Sequence, residues 1–97
     1  MKVIRSADRK TNVAPSSNFT GTVFSDEVVV GTVPSRMRAS VVSFTPGART
    51  AWHSHPVGQT LFCLSGAGHV QRDGEQVQEI RAGDTVIIPP NVRHWQH

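Results

Sequence analysis

The sequence predicts an all-β fold of the sandwich or barrel type. No window sustains apolar residues at helical spacing, and short runs rich in Val, Ile, Thr and Phe recur between Gly, Pro, Asn and Asp turn signals. Asp73-Gly74, flanked by alternating residues, marks a two-residue hairpin whose turn would use two positive φ angles.

The elements follow in order. Residues 3–5 are an edge-strand candidate, and the polar stretch 6–18, with Pro15, reads as a loop or mobile arm. Residues 19–24 and 28–33 are predicted as separate strands and 37–44 as another, before Pro46-Gly47 turns the chain. Residues 50–55 and 60–65 form the next pair, divided by Pro56-Val57-Gly58 and closed by Gly66-Ala67-Gly68. The hairpin joins 69–72 to 75–80, Ala82-Gly83-Asp84 turns into a strand at 85–88, and Pro89-Pro90-Asn91 forms a corner before a last strand that begins near Arg93.

At 97 residues one core is expected, so residues 1–97 are read as a single domain with 1–18 as an N-terminal arm or edge strand. Ten basic residues against seven acidic ones give +3, but they are scattered from Lys2 to Arg93, which argues against a nucleic-acid partner. The N-terminus lacks the apolar stretch of a secretory signal, and no apolar run approaches a membrane span, so a cytoplasmic location is expected. Cys63 is the only cysteine and lies within an apolar run, where it is expected to act as a small core side chain.

The chemistry concentrates in His53 and His55. Two apart on a predicted strand, they aim both imidazoles at one face, which suits a metal. By themselves two such histidines would more simply hydrogen-bond ordinary neighbours. Gln59 returns after the Pro56-Val57-Gly58 turn and offers an amide oxygen, and His94 follows the Pro89-Pro90 corner from a later strand.

These residues stand in two spaced blocks that resemble the two motifs of the cupin superfamily. In the first, Gly47, His53, His55, Gln59 and Gly66 match the family's spacing, with Gln59 where the family pattern has Glu. In the second, Gly83, Pro89 and His94 match, while Asn91 stands where the family usually has Gly. In finer detail the chain is similar to small bacterial cupins that include manganese-dependent hydroxynitrile lyases, through residues 19–23, 46–56, 58–61, Gln71-Arg72 and His94-Trp95.

The resemblance implies a cupin-type jelly-roll β-barrel. Members of that group continue past the position of His97, so it also implies a barrel incomplete at its C-terminal end, or one whose open edge a second subunit covers. A homodimer is expected on the same ground. The implied function is a divalent-metal-dependent enzyme acting on a small organic molecule, with the metal as Lewis acid and reversible C–C cleavage of the hydroxynitrile lyase type as the candidate reaction. An iron-dependent dioxygenase and a non-catalytic binding or sensor module are the alternatives.

Three imidazoles and an amide oxygen suit manganese, iron, cobalt, nickel, copper or zinc better than calcium or magnesium. Four protein ligands leave open positions only on a metal that takes six, and the resemblance puts manganese first. Without an anionic ligand the ion keeps its full double charge and should attract anions. Ser40, Val42, Phe44, Leu61, Trp95 and Gln96 are candidates for the substrate pocket, whereas His69 and His97 lie outside the motifs and read as ordinary solvent or dimer-contact histidines.

Overall fold

The computed structural model describes residues 1–97, which form two compact units, Met1–Ala48 and Arg49–His97. All regular structure is strand apart from one 3-10 turn at Ser6–Asp8. No helix is long and apolar enough to cross a membrane.

In the first unit, β1 (Thr11–Val13), β2 (Phe19–Thr20), β3 (Val23–Val30) and β4 (Arg38–Phe44) succeed one another, and β1, β3 and β4 pair antiparallel in that order. The first strand is not at residues 3–5, because the 3-10 turn redirects the chain there. It forms within the stretch expected to be a loop, where Thr11 to Val13 pair with Asp26 to Phe24. The two strands expected at 19–24 and 28–33 are also differently divided. Gly21 makes the break, since its φ is +78° and a Cβ there would lie 2.9 Å from Ala48. The polar Ser25, Asp26 and Glu27, which suggest a turn, instead pair with Val42, Val41 and Ser40, and a bulge between Glu27 and Val29 takes up Val28. Val23, fully buried, anchors this unit and contributes about 2 kcal/mol by its burial.

In the second unit, β5 (Arg49–Thr50) leads to β6 (Gln59–Phe62), β7 (Ala67–Arg72), β8 (Gln78–Arg81), β9 (Thr85–Ile88) and β10 (His94–Gln96). One sheet has the order β10-β7-β8, and β6 pairs with β9, all antiparallel. Val70, Ile88, Trp95, Thr50 and His94 are its buried side chains, with Gly68 buried beside them. The predicted hairpin is present, but only Gly74 has positive φ, and β8 starts at Gln78 rather than Glu75. Asp73 sits in the turn without positive φ, and its N–H donates to Arg93 O at 2.9 Å, one residue beyond the β7–β10 ladder. The strand expected at 50–55 stops at Thr50. His53 makes a single bridge to His94, and Pro56 has no N–H to extend a ladder beyond His55.

Candidate metal centre

The bridge places the first two imidazoles. His53 N–H donates to His94 O and His94 N–H to His53 O, both at 2.9 Å, and the ring centroids are 4.2 Å apart. His55 is held through its carbonyl, which accepts from Asn91 N–H at 2.8 Å and Gly58 N–H at 3.3 Å. Gly58 is required at that point, because its φ is +82° and a Cβ would lie 2.8 Å from Ile88 O. Gln59 then opens β6 opposite Ile88. The His-x-His pair thus converges without a strand to align it, with ring centroids 4.9 Å apart.

The backbone also sets which ring nitrogens are free. His53 Nδ1–H donates to Ala51 O at 2.8 Å, and His94 Nδ1–H donates to Val92 O at 3.0 Å. A carbonyl can only accept, so Nδ1 carries the proton and Nε2 keeps its lone pair. His94 is 1% exposed, and its Nε2, His55 Nε2 and Gln59 Oε1 are buried without a hydrogen-bond partner. Leaving such groups unpaired costs about 1–3 kcal/mol each. One ligand atom from each of His53, His55 and His94 lies within 4.8 Å of the others.

Charge state agrees with this arrangement. Burial pushes His55 below the ordinary imidazole value of 6.5, the fields of His53 and His94 push it further, and the nearby Gln59 side chain opposes them. Burial lowers His94 as well, opposed by the Val92 carbonyl and the Gln96 side chain and reinforced by His53. Three imidazoles with ligand atoms gathered within 4.8 Å, and with His55 and His94 biased toward the neutral form, are a donor set that fits a divalent transition metal.

The pocket candidates are distributed unevenly. Gln96 shares the His94 face of β10, and its Oε1 is buried without a partner. Leu61 shares the Gln59 face of β6 and is half-buried. Trp95 alternates to the opposite face of β10, where its Nε1–H donates to Gln71 Oε1 at 2.8 Å and the Arg49 guanidinium lies 5.2 Å from its ring. Ser40, Val42 and Phe44 share one face of β4 in the first unit: Ser40 is exposed, Val42 is 40% exposed, and Phe44 packs against Phe19 with centroids 6.3 Å apart.

Sequence reasoning did not single out Thr50, a buried hydroxyl that accepts from Gln96 N–H at 3.0 Å, or the Ala51 and Val92 carbonyls. Backbone acceptors leave no residue-type signal. His69 and His97, read as ordinary, meet across the β7–β10 edge with Nδ1 and Nε2 3.0 Å apart.

Residues 40–97 match the family model described as Cupin domain. This chain is a cupin. It is 42% identical over 95 residues to a protein of Granulicella tundricola named (R)-mandelonitrile lyase, covering 98% of this chain and 72% of that one. A cupin-like protein from Thermotoga maritima superposes with a TM-score of 0.79 at 41% identity, covering 87% of this chain; the chain spans 64% of that relative's length. A protein of unknown function from Acidithiobacillus ferrooxidans, at 22% identity and a TM-score of 0.62 over 91% of this chain and 76% of that one, shares the fold. The cupin jelly-roll fold expected from the sequence is therefore the fold of this chain. Asn91, the departure from the family's glycine, has φ +62°, a left-handed conformation that Asn tolerates better than other side chains do.

Proposed function

We propose that this cupin binds one divalent transition metal, manganese first, through His53, His55, Gln59 and His94, and that it catalyses reversible cleavage of a cyanohydrin. The observation that carries the metal is the set of three buried, unpartnered ligand atoms, His55 Nε2, His94 Nε2 and Gln59 Oε1, beside a histidine whose tautomer is preset. The reaction class is supported by the 42% identity to a protein named (R)-mandelonitrile lyase.

When bound, the metal supplies Lewis-acid stabilisation of negative charge on a substrate oxygen or on cyanide. The chain's own residues would do the rest. Neutral His and Gln ligands leave the site's positive charge undiminished, which favours an anionic leaving group. Gln96 Oε1, buried two residues from His94, would accept a hydrogen bond from the substrate hydroxyl and so orient it. The carbon–carbon bond would break with its electron pair going to cyanide, the carbon–oxygen bond would become a carbonyl, and the hydroxyl proton would pass to the departing cyanide to give hydrogen cyanide, Gln96 orienting the hydroxyl without taking its proton. A small-molecule substrate is the partner this reading requires.

The test is an assay of the manganese-reconstituted protein with mandelonitrile. Release of benzaldehyde and cyanide that disappears on chelation and returns with manganese is the expected result. Oxygen uptake by the iron-loaded protein without cyanohydrin cleavage would replace this reading with an oxygenase, and binding without turnover would replace it with a sensor module.

A further inference from the structure

Outside the proposed centre, the second unit holds another pair of metal-ligating side chains. His69 and His97 face each other across β7 and the end of β10, joined by reciprocal backbone bonds of 2.9 and 3.0 Å. Their rings meet as Nδ1 and Nε2 at 3.0 Å, with centroids 4.9 Å apart. His97 also stacks on Trp95 at 5.6 Å and 12°, which restrains its plane. Strand alternation puts His97 and Trp95 on one face of the chain while His94 and Gln96 take the other.

We propose that His69 and His97 form a second cation site, for a borderline divalent ion such as zinc or copper, distinct from the His53–His55–His94 centre. The spacing is the basis. Two imidazole nitrogens bound at about 2.0–2.1 Å lie roughly 2.9 Å apart at a right angle and roughly 3.4 Å apart in a tetrahedron, which brackets the observed separation. Imidazole favours copper, nickel and zinc over harder ions.

At present one ring nitrogen donates its proton to the other. Binding requires that proton to move to the other nitrogen of the same ring through solvent, and a modest rotation of both rings so that their lone pairs converge. Burial, then the fields of His69 and Arg49, hold His97 below the usual imidazole value. Arg49 lies over Trp95. Its charge weakens the second site relative to the first without occupying it.

Equilibrium dialysis of untagged protein against zinc, followed by elemental analysis, reads the stoichiometry directly. Two ions per chain are expected in the wild type, one in His69→Gln and one in His97→Gln, with circular dichroism confirming that both variants fold. His53→Ala should keep the ion held by the second pair. A single wild-type ion that His53→Ala loses, or two ions retained by His69→Gln and His97→Gln, would overturn the proposal. A single wild-type ion that His53→Ala keeps and His69→Gln loses would instead count against the His53–His55–His94 centre, so the two readings fail separately.

Discussion

The two histidine clusters of the second unit stand on opposite faces of the same strand end and differ in how their nitrogens are satisfied. Around His94, backbone carbonyls hold the Nδ1 protons of His53 and His94, and Nε2 of His55 and of His94 is buried without a partner. Around His97, the two rings satisfy each other with one N···N hydrogen bond. On the proposed reading the first cluster would bind an ion in the conformation it already has, whereas the second would have to give up a hydrogen bond to accept one. Preorganisation, more than the number of histidines, separates a tight centre from a weak one.

The strongest way to break that comparison is His94→Ala. It should lower bound manganese per chain to under about a tenth and cyanohydrin cleavage by at least ~100-fold, since even outer-shell changes at metal sites cost about 10–100-fold. His97→Gln, measured beside it, should leave both quantities near wild type, and a parallel loss in the two variants would erase the distinction. Chelation comes next. With manganese about 100-fold above its Kd, binding contributes about 2.7 kcal/mol, so removing it should lower the Tm on the order of 10 °C. His94→Ala should show no such dependence on manganese in the same thermal scans.

Gln59→Glu sharpens the electrostatic side. The variant should bind manganese at least as tightly and azide or cyanide about tenfold more weakly, because the added carboxylate offsets part of the ion's charge. Equal anion affinities in titrations of the two forms would refute it. Gly58→Ala tests the loop that seats His55: a Cβ 2.8 Å from Ile88 O at positive φ should cost about 2–3 kcal/mol, read as a lower denaturation midpoint. The smallest effect belongs to Asn91. Asn91→Gly should stay within about 0.5 kcal/mol of wild type, and Asn91→Ala should cost about 1 kcal/mol, because only the latter puts an ordinary Cβ at φ +62°.

Much of this centre is legible in the sequence because it depends on residue type and spacing. His53, His55, Gln59 and His94 announce themselves by chemistry, and the glycine at 58 by the turn it permits. The order of strands from β6 to β9 follows from apolar runs and turn residues, although β6 ends at Phe62, short of the expected residue 65, and β8 begins at Gln78 rather than Glu75. What the sequence conceals depends on pairing. Ser25, Asp26 and Glu27 look like a turn until β4 is laid beside them. Asp73 looks like the first half of a primed turn until Arg93 holds its N–H. His69 and His97, far apart in sequence, become neighbours only through the register of β7 and β10. The Ala51 and Val92 carbonyls that choose the tautomers belong to every peptide and distinguish none.

The reciprocal bonds between the backbones of His53 and His94 have a kinetic consequence. Two donors clamped to one another by main chain have no search to perform when an ion arrives. Loading should then be timed by how fast the aquo ion sheds its hydration shell. Escape should be timed by breaking several coordinate bonds nearly together, so the ion would exchange slowly even where its equilibrium affinity is moderate.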